Sequence, residues 1–161
     1  MKKLIYKKVD AFTSGSSLGN PAAFIETGTE SLSEIMMQRI AKEHHGFVSE
    51  IVYVQKTERD LKLWYYSSEC EVSFCGHGTI AAMHEIIKTN PVLLEQKIIK
   101  VQTNKKGKIS VYNKINEEDA VYVTAPEALW IPAHIQVQEI CAALGDDEES
   151  IEKNFSIECI D

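Results

Sequence analysis

Between Phe74 and Lys88 the chain reads FCGHGTIAAMHEIIK. A thiol, two glycines, a histidine and a threonine stand directly against an almost wholly apolar helical run. Their chemistry follows from that position. The first turn of a helix presents backbone N–H groups that have no intrahelical acceptor and carry partial positive charge, so it attracts anions. Gly76 and Gly78 let a ligand approach the backbone closely, and a carboxylate or a developing enolate suits amides spread over Gly76 to Thr79. His77 can exchange a proton with a substrate or donate a hydrogen bond to it. Cys75 adjoins the helix N-terminus, which can depress a thiol pKa and make the sulfur a nucleophile or a base. The same pattern also fits a tight strand-to-helix turn, with Thr79 or His77 as its cap and Cys75 as a small buried hydrophobe.

Two further residues qualify by type. Glu50 opens the run SEIVYV; a carboxylate bordering an apolar strand is partly desolvated, which raises its pKa toward acid/base work. It equally suits an exposed strand edge. Asn20, in GNP, can hydrogen-bond a substrate or serve as a turn residue. A metal set drawn from Cys70, Glu71, Cys75 and His77 matches no standard ligand spacing, so no metal is expected. His84 lies inside the helical run as a structural residue. His44 and His45 close another helix, where positive charge suits the dipole.

The elements that must position these residues follow from pattern. Residues 3–12 read as a strand, 13–21 as a loop punctuated by Gly, Ser, Asn and Pro, and PAAFIE as a second strand. A helix is expected over 31–44, capped by Thr29 or by Ser31 with Glu34, with Ile35, Met36, Ile40 and Ala41 on its buried face. Strands at 49–56 and 60–67 flank a turn at TERD. The apolar helix runs from Thr79 to about Lys88, and strands follow at 96–103, 107–113 and 119–124. Pro126 and Pro132 bracket a loop before a short helix at 134–145, closed by Gly145. DDEES then reads as a solvated acidic linker and FSIECID as a strand. Many antiparallel strands around one apolar helix make an α+β fold, a sheet rolled around that helix, because such a helix needs cover on every side.

Composition narrows the partners. The chain has 161 residues, 44% apolar and 25% charged, with a net charge of −7, values ordinary for a globular domain. The acidic balance argues against nucleic acid or an anionic membrane surface. No stretch approaches a membrane span, and the N-terminus lacks the apolar core of a signal peptide. Four cysteines in such a chain are expected to be reduced thiols, placing the protein in the cytoplasm.

Four segments, VDAFT at 9–13, GNPAAF at 19–24, IAKEHHGFVSE at 40–50 and EVSFCGHGTIAA at 71–82, resemble in order and spacing the phenazine-biosynthesis PhzF-like family. The resemblance implies a diaminopimelate-epimerase-like fold: two similar domains, each a sheet rolled around a central helix, with the active site between them. It implies that Glu50 is the general acid/base, that Gly76 and His77 are the family's glycine–histidine pair, and that Asn20 is its loop asparagine. It implies cofactor-free proton shifts, as in isomerisation of a dihydroaromatic amino acid, on a small carboxylate-bearing substrate. In relatives of this fold that epimerise amino acids, paired cysteines are the bases, and Cys75 stands where one of them would. Two departures are visible. Gly78 replaces the usual alanine or proline, and YYSSECEV replaces an aromatic–Thr–Pro stretch.

On this reading residues 1–145 form the N-terminal half-domain of a PhzF-like protein. Residues 146–161 are a linker and the first strand of a second domain, the rest of which has no counterpart here. The expected partner is a second half-domain or a second copy in a homodimer. An inert half that self-associates is the non-enzymatic alternative.

Overall fold

The computed structural model describes residues 4–57, 60–127, 130–132, 134–151 and, as backbone, 158–160. The centre of the TERD turn, part of the Pro126–Pro132 loop and the start of FSIECID lie outside the described residues. The chain divides into two compact units, Met1–Pro126 and Glu127–Asp161.

The first unit is a mixed sheet in the order β1 (Ile5–Ala11), β2 (Asn20–Gly28), β3 (Glu50–Lys56), β4 (Leu61–Ser67), β6 (Ile98–Thr103), β7 (Gly107–Lys114), β8 (Ala120–Val123), with β5 (Glu71–Val72) paired to β4. β2–β3 and β4–β6 are parallel, and the remaining pairs are antiparallel. Each parallel step needs a crossover. α1 (Glu34–Glu43) lies in the first, and α2 (Gly76–Lys88) with the short α3 (Pro91–Leu94) in the second.

Side chains alternate across the strands and sort into two cores. Phe24, Val52, Val54, Leu63 and Tyr65 pack with Ala82, Met83, Ile86 and Ile87 of α2. Ala23, Ile25, Ile51, Tyr53, Trp64 and Tyr66 pack with Met37 and Ala41 of α1. The central strands are thus covered on both faces, which is why their sequences read as nearly unbroken apolar runs. Strands from opposite ends of the sheet, β1 and β8, both touch α2. A flat sheet could not bring them there, so the sheet curls as a half-barrel around the apolar helix. Ala82, Met83 and Ile87 are fully buried, and burial contributes about 1.5–3 kcal/mol for each of the two larger side chains.

Several local expectations are corrected. α1 begins at Glu34, and its cap is Ser33, whose hydroxyl accepts from the Met36 N–H; neither Thr29 nor Ser31 caps it. Its buried positions are Met37 and Ala41, one turn apart, while Ile35 is 83% exposed. α2 starts three residues before Thr79, with Cys75 at its N-cap. Asn20 and Pro21 belong to β2 rather than to a loop. The one-turn helices α3 and α4 (Ile115–Glu118) were not evident from pattern, since four residues are too few to show a period.

The second unit contains β9 (Trp130–Pro132), α5 (Val137–Leu144) and β10 (Glu158–Ile160). Gln136 and Glu139 form a capping box on α5, and Gly145 ends it in the left-handed region. β10 pairs antiparallel with β9. Among the described residues, no helix is long and apolar enough to cross a membrane.

Candidate active site

Glu50 is the first residue of β3 and shares strand parity with Val52 and Val54, which face α2. The alternation that turns those valines inward turns the Glu50 carboxylate toward α2 as well. β4 runs back alongside β3, with Ser67 opposite Glu50, and β5 then leads into α2. The N-terminus of α2 therefore arrives at the Glu50 end of the sheet.

There the sequence candidates meet. His77 Nε2 stands 3.4 Å from Glu50 Oε2. Both atoms are shut off from solvent, and neither makes an aligned hydrogen bond among the described residues. A buried polar atom without a partner is costly, and its persistence calls for an explanation in function or in a bound species. On the other side of the imidazole, Cys75 Sγ lies 3.5 Å from His77 Nδ1. The ring is thus flanked by a thiol and a carboxylate.

The Cys75 thiol is pushed up to about 12, first by burial and then by the charge of Glu50 and a hydrogen bond to it, with the Gly78 N–H acting in the opposite sense. At neutral pH it is a thiol, so burial and the carboxylate outweigh any help from the helix terminus. α2 has no side-chain cap and no acidic residue in its own first turn, so the acidic group that faces its N-terminus is Glu50. The first intrahelical bond runs from the Thr79 N–H to the Cys75 carbonyl at 3.0 Å.

Thr79 differs from the other mouth residues. Its amide is committed to that bond. Its hydroxyl donates to the Cys75 carbonyl at 2.7 Å and accepts from the Tyr65 hydroxyl at 2.8 Å, and the residue is fully buried. It braces the turn and presents nothing to a ligand, which removes it from the expected oxygen-binding amides. Gly78 is fixed by space: a Cβ there would lie 2.7 Å from Val52 Cγ2 and 2.9 Å from Cys75 Sγ.

Asn20 begins β2, opposite Ala11. Because Ala23 registers with Ile51, Asn20 lies beyond Glu50 at the same end of the sheet by two residues, roughly 7 Å along the strand. Gly19 sets it there with φ +77°, and a Cβ at Gly19 would meet the Ala11 oxygen at 2.4 Å. The β1–β2 loop and the segment before Glu50 carry Phe12, Leu18 and Phe47, which are 61%, 89% and 57% exposed.

Glu50, Cys75 and His77 also offer metal-capable donor atoms, all within 4.8 Å of one another. Cys70 and Glu71, weighed from sequence spacing, lie outside that group. Cys70 is exposed, and Glu71 engages Asn104 and Lys105. Sequence reasoning missed one residue of the arrangement, Tyr65, which supports Thr79; Cys75 was named, and the structure buries it. For Tyr65 the signal was a hydroxyl in the middle of an apolar strand. A cavity of about 320 Å³, lined by residues including Pro21, Phe47, Ser49 and Ser68, adjoins the start of β3. A larger one, about 610 Å³, is lined by Ile86, Asn90 and Leu93 toward the other end of α2, and holds none of the candidates.

The architecture is that of PhzF-like isomerases and epimerases. The chain belongs to the phenazine biosynthesis-like (PhzC–PhzF) family, whose model matches residues 9–156. It is 32% identical to the uncharacterized isomerase YfhB of Bacillus subtilis over 161 residues, which are 98% of this chain and 53% of that protein. A phenazine biosynthesis protein of the PhzF family from Bacillus anthracis superposes with a TM-score of 0.71 at 24% identity, covering 98% of this chain and 52% of the other. A predicted epimerase from Pseudomonas aeruginosa shares the fold with a TM-score of 0.68 at 15% identity, over 92% and 52% of the two chains. The chain spans about half the length of these relatives.

Proposed function

We propose that this chain carries half of the active site of a cofactor-independent isomerase, with Glu50 moving a proton between positions of a small carboxylate-bearing substrate. In this role Glu50 takes a proton from an acidic carbon and returns it elsewhere. His77 Nε2 and the bare amides of Gly76 and His77 hold the oxygen on which charge develops. Asn20 contacts the substrate from the next strand. The observation that carries the reading is a pair of buried polar atoms, Glu50 Oε2 and His77 Nε2, 3.4 Å apart at an uncapped helix mouth and without an aligned hydrogen bond among the described residues. A positioned base contributes about 10²–10⁴-fold in rate, and a preorganised anion site adds to it.

Glu50 is favoured over Cys75 as the base because the thiol is pushed up to about 12. A base that must first be ionised at that cost is poorly matched to neutral pH. The site also needs a second wall. Phe12, Leu18 and Phe47 at the Glu50 end of the sheet are exposed apolar side chains of the kind that drive association. The second wall is assigned to a second half-domain or to a second copy of the chain, a homodimer being the simplest closed form.

The test is proton exchange. Small carboxylates with an acidic or allylic C–H are incubated in D₂O with the chain, across protein concentrations spanning its self-association, and deuterium uptake is read by NMR. Uptake is expected to fall at least ~100-fold in Glu50→Gln with the fold unchanged by circular dichroism. A Glu50→Gln variant that exchanges as fast as wild type removes Glu50 from the reaction.

A further inference from the structure

We propose that Cys75 is a positioning residue whose buried S–H donates to His77 Nδ1 and so keeps the ring proton on Nε2, the nitrogen that faces Glu50. The inference rests on the reading of His77 and Glu50 given above and deepens it, by saying what sets the state of the imidazole.

The argument is one of hydrogen-bond accounting. A neutral imidazole has one N–H and one bare nitrogen, and the group beside each nitrogen decides which is which. Glu50 as a carboxylate only accepts, and its Oε2 is 3.4 Å from Nε2. That contact is attractive only when Nε2 carries the proton. Nδ1 is then bare and needs a donor, and the Cys75 thiol lies 3.5 Å away. The opposite tautomer would turn a bare nitrogen toward a carboxylate in a solvent-free spot, and leave the thiol hydrogen with Glu50, its other neighbouring acceptor, already facing that bare nitrogen.

The thiol is held for this part. Cys75 is 6% exposed and occupies the N-cap, with its carbonyl tied down by both the amide and the hydroxyl of Thr79. The absence of a Cβ at Gly78 leaves the room that Sγ occupies, since an added Cβ would sit 2.9 Å from it. Cys75 thus acts through its neighbour, and the Nε2–H it maintains faces Glu50 Oε2 at the helix mouth.

The experiment is histidine tautomer determination by long-range ¹H–¹⁵N correlation NMR on the ¹⁵N-labelled chain at neutral pH, with His77 assigned by loss of its signals in His77→Gln. In wild type a neutral ring protonated at Nε2 is expected. In Cys75→Ala the Nδ1–H form should rise at least severalfold, and Cys75→Ser, which restores a hydroxyl donor, should recover most of the Nε2–H form. Circular dichroism establishes that each variant is folded. A wild-type ring protonated at Nδ1 or at both nitrogens, or a Cys75→Ala ring unchanged from wild type, overturns the proposal. The readout needs no turnover, so it fails or holds separately from the deuterium-exchange test of Glu50.

Discussion

The two ends of α2 are finished in opposite ways. At its C-terminus the Thr89 amide and hydroxyl both donate to the Glu85 carbonyl, at 3.1 and 2.7 Å. Lys88 and His84 converge on Asp119. Asn90 caps the following α3, and the Asn113 side chain donates to the carbonyls of Leu94 and Gln96. At the N-terminus no side chain caps the helix and its own first turn has no acidic residue; the facing acid is Glu50, and among the described residues Glu50 Oε2 and His77 Nε2 make no aligned hydrogen bond. One helix in one core cannot owe this contrast to general instability. The C-terminal turn is tied to side chains and to the next helix, whereas the N-terminal turn leaves costly buried polar atoms without an aligned partner among the described residues.

The largest effect that can break this comparison concerns the thiol. If the mouth were simply open, Cys75 would react as readily as exposed Cys70. With its thiol pushed up to about 12 by burial, its thiolate is scarce at pH 8, only partly offset by the stronger nucleophilicity of a more basic sulfur. Iodoacetamide labelling followed by mass spectrometry should find Cys75 slower than Cys70 by roughly a hundredfold, most of it from lost thiolate and restricted access. Equal rates would return Cys75 to candidacy as a base.

Next in size is the brace beneath the mouth. Because the Thr79 hydroxyl hydrogen goes to the Cys75 carbonyl, Tyr65 must be the donor in its bond to Thr79. Thr79→Val keeps the shape and orphans a buried phenol, at a cost of about 1–3 kcal/mol, read from the urea midpoint by circular dichroism. Thr79→Ser should recover most of it. A loss under about 0.5 kcal/mol would mean the phenol finds another partner. Gly78→Ala tests the space itself. The new methyl collides with Val52 and Cys75, and overpacking of about 1–3 kcal/mol is partly offset by the better helix propensity of alanine, up to ~1 kcal/mol. A net loss of about 1 kcal/mol is expected, with the His77 tautomer balance disturbed as in Cys75→Ala.

How much of this was legible beforehand depended on the range of each interaction. The longer strands, the apolar helix and the Gly145 stop were readable because period and punctuation are local; the short β5 and β9, the latter inside the expected Pro126–Pro132 loop, are too brief to show a period. The α1 cap was missed because Ser31 and Ser33 are both competent, and only tertiary packing of Met37 and Ala41 chooses the register. Glu50 and His77 were nameable from motif order, but their contact spans 27 positions, and no local rule places a strand's first residue against a helix's second. Thr79 was misjudged for the same reason. Its partner Tyr65 lies on another element, and without it the hydroxyl looks free for a ligand.

The smallest effect lies at the finished end. Asp119 sits in the left-handed region at φ +50°, which asparagine tolerates well, so Asp119→Asn removes charge without disturbing the backbone. The Lys88 hydrogen bond, and then that of His84, hold the Asp119 carboxyl below its ordinary value, and Asp119 in turn raises Lys88. A lowered carboxylate stabilises above its unfolded pKa of ~3.9 and loses that contribution as pH falls through the folded value; a raised lysine stabilises below ~10.4 and loses its share as pH rises through its own. The melting-temperature gap between wild type and Asp119→Asn should therefore be flat from about pH 5 to 9, close toward pH 2, and shrink in 1 M salt, because both groups are exposed and screened. The buried pairing of Cys75 with His77 should ignore the same salt. If salt instead shifts the His77 tautomer while leaving the Asp119→Asn gap untouched, the assignment of the two helix ends is reversed.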